Sequence, residues 1–323
     1  MSDNNLAYAG IDIGGTNIKF GFFNAKGQVL YREQKPTMVD KGPQSLMHLI
    51  ANIGERLMLY AVEENIDVRW LGVGTAGAID FKKGKVIGPS PNIPGWEGME
   101  IGRNLKERLN MPVYVDNDVN SMALAEHRFG AAVGYDSVLC LTLGTGVGGA
   151  IIIDGKVYRG ANSTAGELGH MSIKFDGPQC KCGNYGCLES FVASHVILEK
   201  VKGLLNNEMT AYFKEILDGN PENISIKKLF NAYKREDEVA VQVLDETAGY
   251  VGTALAGLVN LLNPELVVIG GGIAEGGGRF LEKVQIEVKK RAFSSAVENL
   301  LILKASLGND AGFIGAGLLG ETV

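Results

Sequence analysis

The sequence predicts an α/β protein with a duplicated core, and three observations carry that expectation. Short apolar strand-like runs alternate with stretches of helical periodicity. A unit of strand, loop, strand and tight turn begins at Tyr8, and a second begins at Val138, about 130 residues later. In both units the loop between the strands is rich in Gly and Thr. Identity between the units is low, and two unrelated hairpins would leave a similar trace.

The first unit runs from Tyr8 to Gln34. Tyr8 to Ile13 is a strand, Gly14-Gly15-Thr16-Asn17 a loop, and Ile18 to Phe23 the returning strand. Asn24-Ala25-Lys26-Gly27 is a hairpin turn before Gln28-Val29-Leu30. Leu46, Leu49, Ile50, Ile53, Leu57 and Ala61 follow at helical spacing. Trp70 to Gly74 is a strand, Ile101, Leu105 and Leu109 mark a helix, and Pro112 opens the strand Val113 to Val115. A helical run, Ser121 to Arg128, comes next.

In the second unit Val138 to Leu143 is the strand, Gly144-Thr145-Gly146 the loop, Val147 to Ile153 the return, and Asp154-Gly155-Lys156 the tip. Val251, Leu255, Leu258, Val259 and Leu262 form a helical face that ends at Asn263-Pro264, as helices do before proline. Glu265 to Ile269 is a buried strand leading into Gly270-Gly271-Gly272. Residues 206–238 are polar and give only short helices, whereas Ala311 to Leu319 is a Gly/Ala-rich helix able to pack tightly on a neighbour.

At 323 residues the chain is long enough for two domains. Apolar residues make up 46% and charged residues 21%, ordinary for a globular enzyme, while 44 glycines are about twice the usual share. A net charge of −6 argues against a nucleic-acid partner. Met1 to Asn5 is polar with no apolar core after it, so no signal peptide is expected. No run reaches the ~18 apolar residues that span a bilayer. A cytoplasmic setting with reduced thiols follows.

Both glycine loops suit phosphate. Glycines let backbone N–H groups approach an anion; Thr16 adds a hydroxyl and Lys19 a charge. Asp12, at the strand end, is placed to hold Mg²⁺ directly or through water. Leu143 to Gly148 is a cradle of the same kind, although each loop alone reads equally as a plain hairpin turn. The Walker pattern is absent. The spacing Gly-x-Gly-x-x-Gly occurs at Gly144, Gly146, Gly149 and at Gly72, Gly74, Gly77, but neither run opens a helix, as a dinucleotide fold requires.

Asp116-Asn117-Asp118-Val119-Asn120 lies at the C-terminal edge of a strand, where open α/β sheets meet ligands. A kinase acting on alcohols needs a carboxylate at the attacking hydroxyl, and Asp118 is the candidate, with Asn117 as its positioning partner. Capping of the following helix is the plainer alternative. Farther on, Glu167-Leu168-Gly169-His170 precedes a knuckle containing Cys180, Cys182 and Cys187. Three thiolates and an imidazole are the ligands of a tetrahedral Zn²⁺ site, and Glu167 and Glu189, beside it, are left free for a polar ligand such as a sugar. Cys140 reads as a buried small hydrophobe.

Taken together, Asp12 to Asn17, Asn117 to Asn120, Leu143 to Gly148, Glu167 to His170 and Cys180 to Glu189 give the chain a resemblance to the ROK family of bacterial sugar kinases and sugar-responsive repressors, from about Tyr8 to Gly320. The knuckle with its Glu-x-Gly-His is the specific part; the glycine loops are shared with the wider actin and hexokinase fold. The resemblance implies a two-lobed actin/hexokinase-like (ribonuclease-H-like) ATPase fold with the active site between the lobes. Residues 1–116 with about 305–323 would form the smaller lobe, and residues 117–304 the larger.

It also implies ATP and Mg²⁺ at the two loops and the Gly270-Gly271-Gly272 turn near the adenosine. Asp118 matches the family's base, and Asn92, Asn117, Glu167, His170 and Glu189 match its sugar contacts. His170, Cys180, Cys182 and Cys187 match its zinc ligands. The catalytic motif reads Asp-Asn-Asp-Val-Asn, where many family glucokinases carry Glu-Asn-Asp-Ala-Asn. The expected activity is ATP-dependent phosphorylation of a hexose, first of all glucose, with N-acetylmannosamine or N-acetylglucosamine as the alternative and a sugar-responsive regulator behind them. Regulators of this family carry a winged-helix segment ahead of the first loop, for which Asp12 leaves no room. The expected partners are a small hexose and further copies of the chain, as a homodimer or a dimer of dimers, with neither nucleic acid nor membrane.

Overall fold

The computed structural model describes residues 6–88, 90 and 92–323. Its strands are β1 (Ala7–Ile13), β2 (Asn17–Asn24), β3 (Val29–Pro36), β4 (Leu71–Thr75), β5 (Ile79–Asp80), β6 (Lys85–Val86), β7 (Val113–Asn117), β8 (Val138–Leu143), β9 (Val147–Ile153), β10 (Lys156–Val157), β11 (Leu266–Gly270) and β12 (Leu301–Lys304). The α-helices are α1 (Pro43–Glu63), α2 (Ile101–Leu109), α3 (Asp118–Phe129), α4 (Glu189–Val192), α5 (Ser194–Asn207), α6 (Ala211–Ile216), α7 (Ile226–Lys234), α8 (Glu238–Leu262), α9 (Gly278–Arg291), α10 (Ser294–Val297) and α11 (Ala311–Leu318).

Two five-stranded sheets repeat one plan. The first has the order β3-β2-β1-β4-β7 and the second β10-β9-β8-β11-β12. In the first, β1 pairs antiparallel with β2 and parallel with β4, and β4 runs parallel to β7. In the second, β11 lies parallel to both β8 and β12, and β9 turns back antiparallel into β10. The duplicated core expected from the sequence is therefore present, strand for strand. Both tight turns form as expected: Gly27 has φ 77°, while Asp154 and Gly155 have φ 52° and 70°, the left-handed pair of a type I′ hairpin.

The contacts divide the chain into two compact units. One comprises the chain up to Asp136 with 150–166 and 306–323; the other comprises 137–149 and 167–305. The boundaries differ from the expected 1–116 plus 305–323 against 117–304. Part of the reason is α3, whose packing on α11 groups it with the first unit: at Gly315 an added Cβ would collide with the Ser121 carbonyl; residues 150–166 join it as well, with Arg159 bound to Asp116. The sequence placed the start of this helix at Ser121, but Asn117 caps it and it begins at Asp118.

In the first unit β1 is buried along both faces, which explains why AYAGIDI does not alternate. One side meets Ile50, Ile53 and Leu57 of α1 within a core that includes Ile11, Phe20, Phe22 and Trp96. The other side takes α11 at close range. A Cβ at Gly10 would strike the Phe313 carbonyl, and one at Gly72 the Ala316 carbonyl. Part of the glycine excess thus serves helix–sheet packing, and Gly72 and Gly74 lie inside β4, not before a helix. In the second unit β11 is wholly buried, and the long α8 starts under an Asp237 cap and ends at Asn263 in the left-handed region, just before Pro264. Among the described residues no helix is long and apolar enough to cross a membrane.

Candidate functional site

In the first unit, β1 and β7 deliver Asp12 and Asp118 to neighbouring positions. Burial, then the Asp118 carboxylate, push the half-buried Asp12 up to about 7, with Lys19 pulling the other way. The loop after Asp12 closes with Gly14 N–H donating to the Asn17 carbonyl at 3.0 Å. The end of β3 pins it: Thr37 N–H donates to the Thr16 carbonyl at 2.9 Å, and the Thr37 hydroxyl donates to the Gly14 carbonyl at 2.6 Å. Thr16 is exposed at the tip. Asn92 lies against this loop, since a Cβ at Gly15 would sit 2.9 Å from the Asn92 Cβ. The Lys19 ammonium donates to the Asn309 carbonyl at 3.0 Å, so it acts on the loop from the flank.

Asn117 is the N-cap of α3. Its Oδ1 accepts from the Val119 and Asn120 amides at 2.8 and 3.2 Å, and its Nδ2 donates to the Gly77 carbonyl at 3.1 Å. The capping alternative is thus what the side chain does, and it holds Asp118 in the first turn. Behind them lies a network that sequence reasoning missed. Asp116, 1% exposed, accepts from Asn117 N–H at 2.8 Å, from Asn120 Nδ2 at 3.0 Å and from Arg159 Nε at 2.7 Å. The Arg159 guanidinium also stacks 3.8 Å from the Phe81 ring centroid. No sequence signal links Arg159 to Asp116; only the topology pairs them.

In the second unit, the loop after β8 closes with Gly144 N–H donating to the Gly146 carbonyl at 3.0 Å. Thr145 is exposed. Gly271, at φ 87°, lies beside this loop: a Cβ there would strike the Leu143 carbonyl, to which Ile273 N–H donates at 3.1 Å. The structure therefore brings Gly270, Gly271 and Gly272 to the Gly144–Gly146 turn.

The knuckle stands at the same edge. A Cβ at Gly169 would collide with the Val147 carbonyl, so the Glu167–His170 segment rests on the start of β9. His170 Nδ1 and Cys180 Sγ lie 3.7 Å apart, as do Cys182 Sγ and Cys187 Sγ, and all four ligand atoms fall within 4.8 Å of one another. Zn²⁺ with bonds of ~2.3 Å to sulfur and ~2.0–2.1 Å to nitrogen spaces its ligands about 3.5–3.8 Å apart, so the set fits a tetrahedral zinc site. Sulfur atoms at 3.7 Å are far too distant for a disulfide, whose bond is ~2.05 Å. Cys140 is fully buried in β8, as expected.

Glu189 joins knuckle and loop. Its Oε2 accepts from Val147 N–H at 2.8 Å, and its Oε1 lies 4.0 Å from Cys180 Sγ. The sequence assigned Glu189 to the sugar alone, whereas one of its oxygens supports the second glycine loop. Glu167 is exposed by area, yet its carboxyl is raised: the surrounding atoms raise it, His170 lowers it and Glu189 raises it further. These three side chains feel one another. The candidate residues thus form two groups, one in each unit: Asp12, Gly14, Gly15, Thr16, Asn17, Lys19, Asn92, Asn117 and Asp118 in the first, and the second loop, the Gly270–Gly272 turn, the knuckle, Glu167 and Glu189 in the other.

Residues 8–322 match the profile of the ROK family. The chain belongs to that family. A glucokinase from Halalkalibacterium halodurans is 35% identical over 316 residues, covering 97% of this chain and 94% of its own length. A xylose repressor from Caldicellulosiruptor bescii is 32% identical over 306 residues, covering 95% of this chain and 76% of its own. Among solved structures, a ROK family glucokinase from Streptomyces griseus in complex with glucose and AMPPNP superposes with a TM-score of 0.84 at 32% identity, covering 97% of this chain and 98% of that one. The actin/hexokinase-like fold of ROK glucokinases is therefore the fold of this ROK protein.

Proposed function

We propose that this protein transfers the γ-phosphoryl group of ATP to the exocyclic hydroxyl of a hexose, with glucose as that hexose. The observation that carries the reading is the carboxylate pair: Asp118, fixed in the first turn of α3 by the Asn117 cap, beside Asp12 at the end of β1. A bond forms between the sugar oxygen and the γ-phosphorus, the bond from that phosphorus to the β–γ bridging oxygen breaks, and ADP leaves. The hydroxyl proton passes to Asp118.

Backbone N–H groups of Gly14–Thr16 and Gly144–Gly146 receive the phosphates, and the Gly270–Gly272 turn takes the adenosine. Asp12, whose raised carboxyl marks a place short of positive charge, would hold Mg²⁺ directly or through water, and bound Mg²⁺ supplies charge that offsets the phosphates. Zinc held by His170, Cys180, Cys182 and Cys187 supplies rigidity. His170 turns Nδ1 to the thiols, which leaves Nε2 for a sugar hydroxyl, with Glu167 and Glu189 as further acceptors in its unit; Asn92 and Asn117 are the sugar contacts of the first unit. Each hydroxyl of the wrong epimer that leaves such a group unpaired costs ~1–3 kcal/mol.

The glucokinase relative and the glucose-bound neighbour support glucose over an N-acetylated hexosamine, and the repressor keeps a regulator in view. Coupled ADP release over glucose, mannose, N-acetylmannosamine, N-acetylglucosamine, fructose and allose separates these. Fastest kcat/KM on glucose supports the reading. A maximum on N-acetylmannosamine or N-acetylglucosamine replaces the substrate, and no ADP with any of the sugars overturns the kinase.

A further inference from the structure

On the first unit, away from Asp12 and Asp118 in the candidate site, a cavity of about 820 Å³ opens between the β5–β6 turn, α2 and the start of β7. That volume lies within the range of small-molecule sites. Its walls carry Lys82, Lys83, Arg103 and Lys106 with the acid Glu107, and Asp80 and Glu100 reach two of these cations from beside it, a local excess of one positive charge on a chain whose net charge is −6. Two of the cations are already engaged. Lys83 pairs with Asp80 at 3.1 Å, and Arg103 pairs with Glu107 at 2.9 Å and with Glu100 at 3.4 Å. Lys82 and Lys106 have no ion pair among the described residues.

Lys82 and Lys106, left without a matching acid beside two paired cations, repel one another, and an anion relieves that repulsion. Two unpaired ammonium groups with an Arg fork beside them suit a phosphate dianion, which takes point charges and paired N–H donors together. Phe81 and Tyr114, each half-buried, supply an apolar wall for the organic part of an ester. We propose that this cavity is a second binding site, for a phosphorylated small molecule. It stands whether or not the kinase reading does, because none of its residues is assigned to catalysis.

The test is local. The whole protein is labelled with an amine-reactive reagent, and the rate at each lysine is read by peptide mass spectrometry, alone and with pyrophosphate, ADP or glucose 6-phosphate. Chloride at equal ionic strength is the control, and exposed Lys26 is the internal reference. Saturable protection of Lys82 and Lys106, at least about fivefold beyond that of Lys26, supports the site, and the best-protecting compound tells free polyphosphate, nucleotide and sugar phosphate apart. Calorimetry with that compound should show one binding event lost or weakened about tenfold in the double variant Lys82→Ala/Lys106→Ala, and tightened in Glu107→Gln, which removes the acid in the wall and one of the two that hold Arg103. A purely structural role for these side chains would not give tighter binding. Labelling of Lys82 and Lys106 at the Lys26 rate with all three compounds, or equal affinity in wild type and both variants, overturns the proposal.

Discussion

The two glycine loops occupy the same place in two copies of one sheet plan, yet they are held in different ways. The first, Gly14 to Thr16, sits among charges: Asp12 and Lys19 flank it, Asp118 stands next to Asp12, and the Thr37 hydroxyl pins it from just beyond β3. The second, Gly144 to Gly146, has no ionisable residue in its own strands near the turn. A carboxylate from outside the hairpin, Glu189, and the Ser194 N–H, which donates to the Gly144 carbonyl at 2.8 Å, hold it instead. The comparison teaches that duplication conserves the backbone cradle while the chemistry around it diverges. One copy keeps its acids in the hairpin and in α3, and the other draws support from the Cys/His knuckle.

The widest break in this comparison comes from the acids of the first copy. Asp118→Ala should lower kcat by ~10²–10⁴-fold, the range of a general base, while glucose binding measured by calorimetry persists. Turnover near the wild-type rate would remove Asp118 from its role and leave the first loop with no more chemistry than the second.

Next in size is the support of the second copy. Cys187→Ser takes a buried ligand from the Cys₃His set, and the protein should lose its bound zinc by elemental analysis along with most of its sugar affinity. Cys140→Ala, at a thiol buried in β8 outside the cluster, should keep the metal. Equal zinc content in both variants would show that the cluster does not hold the ion.

What the sequence disclosed here and what it hid divide along a physical line. Asp12 with its glycines, Asp118 and the Cys/His knuckle are legible because local spacing carries their chemistry, and the β2–β3 and β9–β10 turns because Gly, Asn and Asp mark left-handed backbone. The Asp116–Arg159 pair joins positions 43 apart in sequence, and nothing at either position predicts the other. Gly10 and Gly72 read as glycines inside strands, but that they are the floor on which α11 lies needs the C-terminal helix in place. Glu189 was legible as an acid beside the knuckle and illegible as the prop of Val147, for the same reason.

That prop yields a graded test. Glu189→Gln keeps an oxygen for the Val147 N–H, whereas Glu189→Ala leaves that N–H without its partner. A hydrogen bond nets ~0.5–1.5 kcal/mol, so the alanine variant should raise KM for ATP by about two- to tenfold and the glutamine variant by less than about twofold. Both should lose glucose affinity, because each removes the negative charge of Glu189. If the two variants have the same KM for ATP, the knuckle does not support the second loop, and the contrast between the copies narrows to their acids.

The smallest effects separate two glycines of one loop. A Cβ at Gly146 would sit 2.6 Å from Glu189 Oε2, while one at Gly144 meets nothing within 4 Å. Neither has a left-handed φ, so the substitutions differ only in what the methyl group touches. Gly146→Ala should displace the Glu189 carboxylate and reproduce a weakened form of the Glu189→Ala phenotype in KM for ATP. Gly144→Ala should leave the melting temperature of the free protein within about 1 °C, since an open-surface substitution shifts stability by less than ~0.5 kcal/mol. A rise in KM for ATP in Gly144→Ala without a change in melting temperature would mean that the added methyl group is felt only by the nucleotide, which is the behaviour expected of a backbone that phosphate approaches directly. Loss of stability at Gly144 equal to that at Gly146 would instead mean that the loop is held by its own packing and not by Glu189.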